Sequence, residues 1–341
     1  MNTRKSYVHP VVSRWAMLFF LCYIFTPLRA QVPADTVSLL QLSDTHLIFS
    51  PANYDTAWIQ KRINHFGKDK QPFASFFNTV PKRIGADFVV ITGDLVDFYM
   101  AKKSGDLANV VGTQIEQFSS FLDKVSIVPT YLTLGNHDIT SYPKDYYHQN
   151  DAGEARALWM RNATAFKNGT YYSKVVQVGT LTYRLLFLDN SYFSTYFKNK
   201  EREKVQFAMD PYQLDWLADQ LQQSSTDVEI IFMHIPFPHQ EKNDQGKVVE
   251  GYQEYSERTQ ATDLLRVLNG ENAHVRLIVA GHRHINDLAD FHFADNLSFT
   301  QVLTAPFGHD ANNWRLIQLT KDDIIIYNTG SGVVQTVVPI N

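Results

Sequence analysis

The chain has 341 residues, of which 44% are hydrophobic and 19% charged, so it can bury a large core and is not built as a disordered polymer. Its 35 acidic against 31 basic residues give a formal charge of −4, which argues against nucleic-acid or anionic-membrane binding as its main activity. No internal repeat, heptad array or low-complexity tract is present, which excludes solenoid and fibrous architectures.

The first thirty residues stand apart from the rest. A basic stretch with Arg4, Lys5 and Arg14 precedes an apolar run from Trp15 to Leu28, which closes on Leu28, Arg29 and Ala30. This pattern predicts a signal peptide over 1–30, a single domain over 31–341, and a secreted or periplasmic mature protein. The apolar run is shorter than the roughly 20 residues of a spanning helix, so no stable membrane span is expected after cleavage. Cleavage leaves 27 basic against 35 acidic residues, a formal charge of −8, and removes the only cysteine, Cys22. Disulfides and thiolate ligands are then unavailable to the fold, and any metal must be held by His, Asp, Glu or Asn.

Beyond the leader, short runs rich in Val, Ile, Leu, Phe and Tyr predict strands over 38–42, 88–92, 125–134, 183–188, 228–233 and 274–280. Their near-continuous apolar character suits strands covered on both faces. Between them, spaced apolar residues predict amphipathic helices over 72–83, 114–124, 211–222 and 257–268. After residue 297 four strand-like runs, 297–304, 314–320, 323–329 and 333–338, follow without helices and read as antiparallel neighbours. The expected class is a layered α/β sheet protein.

Five of the six strand-like runs end on hard or borderline metal-ligand side chains. The first delivers Asp44 and His46, the second Asp94 and Asp97, and the third Asn136, His137 and Asp138. The fifth delivers His234, and the sixth His282 and His284. Each signal alone has an ordinary explanation in turn chemistry or a hydrogen-bonded histidine. Together they converge, because the carboxyl ends of strands in open α/β sheets border one crevice. Asp189 and Asn190, after the fourth run, are expected to order a loop.

The ordered set Asp44-x-His46, Gly93-Asp94-x-x-Asp97, Gly135-Asn136-His137-Asp138, His234 and Gly281-His282-x-His284 resembles the calcineurin-like metallophosphoesterase superfamily. The resemblance implies a four-layer α/β/β/α sandwich of two mixed sheets flanked by helices. It implies a dinuclear centre in which Asp44, His46 and His284 bind one ion, Asn136, His234 and His282 bind the other, and Asp94 bridges them. The two ions are divalent or mixed-valence, with Mn, Fe and Zn all compatible with such ligands. His137 is the implied catalytic residue, giving a proton or hydrogen bond to the leaving oxygen, with Asp138 orienting its ring and Asp97 holding the loop that presents Asp94. Asp97 stands where purple acid phosphatases carry tyrosine, and the motifs look more like the class III cyclic-nucleotide phosphodiesterase branch.

The implied function is a secreted phosphoesterase that hydrolyses small-molecule phosphate mono- or diesters with an activated water. Two other readings stand beside it: a catalytically silent binder of phosphorylated ligands, and a cyclic-nucleotide phosphodiesterase. A nuclease of the same superfamily would need a basic groove, which the mature charge disfavours, so no nucleic-acid partner is expected. Long insertions after the third motif and after His234 are expected to shape the substrate pocket, with Tyr147, His239, Arg283 and His309 as candidate contacts.

Overall fold

Alternation along the strands sets the layers. In β1 (Thr36–Leu42) Val37 and Leu39 face one core while Leu40 and Leu42 face another; in β2 (Phe88–Thr92) Phe88 and Val90 are divided from Val89 and Ile91 in the same way. The structure, a computed structural model, describes residues 35–54, 56–66, 70–101, 113–142, 151–194, 197–198, 201–202, 206–223, 225–238, 241–242, 248–250, 261–293 and 297–340. The expected signal peptide, Tyr147 and His239 lie outside the described residues.

The remaining sheet strands are β3 (Thr130–Thr133), β4 (Tyr172–Val178), β5 (Leu181–Phe187), β6 (Val228–Phe232), β7 (Val275–Ala280), β8 (Asp287–His292), β9 (Ser298–Leu303), β10 (Trp314–Thr320), β11 (Asp323–Tyr327) and β12 (Val334–Pro339). They form two six-stranded sheets, ordered β12-β11-β10-β1-β2-β3 and β8-β9-β7-β6-β5-β4. Both are mixed: β1, β2 and β3 run parallel, as do β5, β6, β7 and β9, while β10, β11 and β12 beside β1, β8 beside β9 and β4 beside β5 pair antiparallel.

Between the sheets Leu39, Val90 and Ile317 meet Leu185, Ile230 and Leu277 in one apolar layer. On the far side of the first sheet pack α2 (Lys70–Ile84), α3 (Thr113–Val125) and α4 (Asp151–Asn162). The second sheet carries α5 (Pro211–Gln222) and α6 (Ala261–Leu268). The fold is the expected four-layer sandwich. A further helix, α1 (Thr56–Phe66), packs Ile59 against Phe98 and Tyr54, beside the loop that follows β2. Among the described residues no helix is long and apolar enough to cross a membrane.

Two local expectations need correcting. The stretch 125–134 divides, because Val125 ends α3, Ser126 Oγ turns onto the Val128 carbonyl at 2.8 Å, and the strand starts only after Pro129. The run 297–304 does not join the antiparallel C-terminal strands. It lies parallel to β7 and antiparallel to β8, a strand absent from the sequence reading, as was β4. The insertion after the third motif contains α4, whose Ala155 and Trp159, one turn apart, are fully buried and whose indole donates to the Asp138 carbonyl at 2.9 Å.

Glu229, the second residue of β6, is fully buried, and its Oε2 accepts from the His274 amide at 2.6 Å. Burial, reinforced by the charge of Asp227, pushes its carboxyl up to about 8 from an ordinary 4.5. Between those values the folded chain keeps a proton that the unfolded chain has released, so stability falls as pH rises through that window. Glu229→Gln, which imitates the neutral acid, should remove that slope. Thermal unfolding at several pH values between about 5 and 8 reads it, and a variant whose Tm declines as steeply as the parent's would exclude Glu229 as the source.

Candidate metal centre

The loops that leave β1, β2, β3, β6 and β7 meet at one end of the sandwich. Asp44, His46, Asp94, His282 and His284 all have positive φ, between 41° and 67°. Left-handed backbone is uncommon outside glycine, asparagine and aspartate and costs of order 1–3 kcal/mol per residue, so surrounding bonds must hold it. They are present: the amides of Asp44 and His46 donate to the carbonyls of Gly93 and Asp94 at 3.1 and 2.9 Å. The single Ser43 hydroxyl proton is shared between Asp44 Oδ2 at 2.5 Å and the Thr92 carbonyl at 2.9 Å. The motif glycines have a matching cause. A Cβ on Gly135 would overlap the amide and Oδ1 of Asp94, and one on Gly281 would overlap Ser43 Oγ and Asp44 Oδ2.

Two clusters of ligand-type atoms result. Asp44, His46, Asp94 and His284 each offer an atom within 4.8 Å of the others, and so do Asp94, His234 and His282. Asp94 belongs to both. In the first cluster His284 Nε2 lies 3.2 Å from Asp44 Oδ1 and 3.4 Å from His46 Nε2. In the second, His234 Nε2 lies 3.2 Å from Asp94 Oδ2 and 3.3 Å from His282 Nδ1. Asn136 precedes His137, whose amide donates to Asp94 Oδ1 at 2.9 Å.

The donor set fits cations. Asn136 Oδ1 is buried without a hydrogen-bond partner and Asp44 Oδ1 has only the His284 ring nitrogen beside it, an expensive condition that a positive ion would relieve. His234 Nδ1 bonds to the Thr92 carbonyl at 2.9 Å, which fixes the proton there and turns the lone pair of Nε2 to the cluster. Facing imidazole nitrogens at 3.3–3.4 Å repel unless a proton or cation stands near both.

Protonation favours the same role. Burial alone would raise Asp94, but the charges of His234 and His137 hold it well below the usual carboxylate range. Burial also opposes ionisation of Asp44, which hydrogen bonding to His284 holds below its ordinary value. Burial, aided by the charge of His234, lowers His282 to about 3, and burial lowers His46, so both rings are neutral near neutral pH, as metal ligands would have to be. For His234 the carboxylates of Asp94 and Asp44 outweigh burial and raise it to about 9, so a cation bound there would have to displace a proton.

Asp97 also lies close to His46 and His137, but its carboxylate is already forked by Arg62 at 2.7 Å on each oxygen. A guanidinium occupies the place a cation would take. The expected pairing of Asp138 with the His137 ring is not formed. Asp138 accepts from the Val96 and Gly135 amides at 3.0 and 2.7 Å, and burial beside Asp94 pushes its carboxyl well above the ordinary value. The His137 ring instead places Nδ1 2.8 Å from the Asp97 carbonyl, with its side chain 13% exposed.

Asn190 orders a loop, as expected, by exchanging two hydrogen bonds with the main chain of Ile235 beside His234, while Asp189 is paired with Arg156. His309 lines a cavity of about 720 Å³ beside His46, together with Ile48, Ile63, Lys70 and Phe73. Ser43, Arg62 and Phe66 went unread in the sequence. Ile59, Ile63 and Phe66 carry helical spacing that could have revealed α1, but nothing local announces what Arg62 or Phe66 touches.

Residues 37–286 match the family model described as calcineurin-like phosphoesterase. No curated protein matches the chain in sequence. Among solved structures the fold is similar to "GAP50 the anchor in the inner membrane complex of Plasmodium", at 14% identity and a TM-score of 0.53, covering 90% of this chain and 89% of that one. It is also similar to PhoD, at 10% identity and a TM-score of 0.54, covering 90% of this chain and 69% of that one. The family model runs through every motif loop that meets at this end of the sandwich, from the strand before Asp44 to two residues beyond His284. On that match the chain belongs to the calcineurin-like phosphoesterase family, a family of metal-dependent phosphoester hydrolases.

Proposed function

We propose that the protein is an exported phosphoesterase with a dinuclear centre, in which Asp44, His46 and His284 hold one ion and Asn136, His234 and His282 the other. Asp94 serves both. The observation that carries this reading is the membership of Asp94 in both ligand clusters. Two such cations supply charge neutralisation for a phosphoryl group and lower the pKa of a bound water. Mn, Fe and Zn all suit the nitrogen and oxygen donors.

The chain's own groups orient the rest. The His137 amide on Asp94 Oδ1 sets its ring beside the shared carboxylate, and the Asp97 carbonyl at 2.8 Å holds a proton on Nδ1. Asp97 Oδ1 lies 3.6 Å from the same nitrogen, so that edge of the ring is engaged by Asp97. Nε2 is left for a departing alkoxide or phenoxide, to which His137 would give a proton or hydrogen bond. The substrate is a small phosphate mono- or diester, with cyclic nucleotides as a narrower candidate class. All seven proposed ligand positions hold competent side chains, which disfavours a silent binder. The basic, apolar and small-residue succession of 1–30 supports export.

Metal-reconstituted protein should be assayed on p-nitrophenyl phosphate, bis-p-nitrophenyl phosphate, nucleotides and cyclic nucleotides; absence of turnover on every ester would refute the enzymatic reading. Asp94→Ala should abolish turnover and lower the metal content measured by elemental analysis, and full metal content would remove Asp94 from its shared role. His137→Ala should retain metal yet slow the reaction by roughly 10²- to 10⁴-fold. That loss should be smaller for a p-nitrophenolate leaving group than for an alkoxide, and an equal loss on both would remove the proton-donor role. N-terminal sequencing of exported protein should begin at Gln31, whereas a chain still starting at Met1 would contradict cleavage.

A further inference from the structure

We propose that Arg62 and Phe66, one turn apart on α1, are positioning residues that fix the His46 ring from two directions. Neither belongs to a motif loop. The proposal rests on the reading of His46 as a metal ligand.

The in-plane hold runs through Asp97. Arg62 Nε and Nη2 reach its two oxygens at 2.7 Å each, a fork that orients a carboxylate as well as neutralising it. Asp97 is fully buried, so its carboxylate depends on that partner. The oriented Oδ1 lies 3.3 Å from His46 Nδ1. The buried Nδ1 makes no aligned hydrogen bond, so it is the charge of the nearby carboxylate that favours the ring's proton on Nδ1 and leaves the Nε2 lone pair toward Asp44 and Asp94, 3.8 and 3.6 Å away.

The hold on the ring's face comes from Phe66. Its ring stacks on His46 with centroids 4.0 Å apart and planes 28° from parallel. The same ring meets His137 and His284 edge-on at 5.5 and 5.4 Å. The Arg62 guanidinium carbon sits 4.5 Å from the Phe66 centroid, so each of the two also keeps the other in place. With rotation opposed at the nitrogen and tilt opposed at the face, His46 has one orientation, which is what a preformed ligand set requires.

The test uses the full chain with Arg62→Lys, which keeps the charge and loses the fork, and Phe66→Leu, which keeps apolar bulk and loses the ring. Arg62→Met combined with Asp97→Asn removes the charge and its partner together and decides the matter if Arg62→Lys does not fold. Manganese retention against a competing chelator, and kcat and KM separately on p-nitrophenyl phosphate, are measured on variants whose thermal unfolding shows a folded chain. The expected result is a loss of about 10- to 100-fold in manganese affinity and in kcat, with KM changed by less than about threefold. Folded variants that keep parental affinity and kcat would overturn the positioning role. His46→Ala separates the two readings. If it loses manganese while the α1 variants retain it, only the positioning role fails; if it retains manganese as the parent does, the ligand assignment fails and the positioning role with it.

Discussion

A carboxylate shut away from water has to be neutralised by its immediate neighbours, and Asp94 gathers those neighbours from three other loops. It is about 1% exposed. Its Oδ1 takes the His137 amide and its Oδ2 faces His234 and His46, while its carbonyl takes the His46 amide. Moving any of these loops by an ångström would strand the charge, at a cost comparable to much of a domain's net stability. The left-handed turn at Asp94 and the bare backbone of Gly135 beneath it are the local means by which four chain segments come that close.

Beneath the site a buried polar chain ties the two sheets together. Arg315, about 1% exposed, donates from Nε to Thr304 Oγ1; Thr304 donates to Gln41 Oε1, and Gln41 Nε2 donates to Thr92 Oγ1. The Thr92 carbonyl then accepts from Ser43 and faces His234 Nδ1. Thr304 follows a strand of the second sheet, and the other three lie in the first. Polar groups in an apolar interface are tolerated only when satisfied, so this chain specifies one register of sheet on sheet. The clusters need that register, because Asp44, His46 and Asp94 come from the first sheet and His234, His282 and His284 from the second.

The motif loops were legible one by one because each combines a strand end with a turn, and both are local properties. Asp44-x-His46 follows an apolar run, Gly93 and Gly135 mark tight approaches, and His282 with His284 repeats the spacing of two. Helix α1 and strands β4 and β8 escaped notice because half-exposed elements carry weak patterns: β4 and β8 bury few of their side chains. The parallel pairing of β9 with β7 was unreadable for another reason. Whether a strand joins one sheet or the other is a choice among distant partners, and a run such as 298–303 suits either. The roles of Asp97 and Asp138 were exchanged in part for the same cause, since Asp138 is adjacent to His137 in sequence while Asp97 reaches it only across the fold.

Sequence alone therefore determined the order and chemical type of the groups at the strand ends and the two-faced burial of the central strands. Those follow from periodicity, turn chemistry and composition, which act over a few residues. Tertiary structure alone decided that Asp94 stands in both clusters, that Arg62 and Phe66 grip His46, and that the Asp138 carboxyl faces backbone amides. These depend on atoms brought to within 3–4 Å across tens or hundreds of residues, a proximity set by how two sheets and their helices pack.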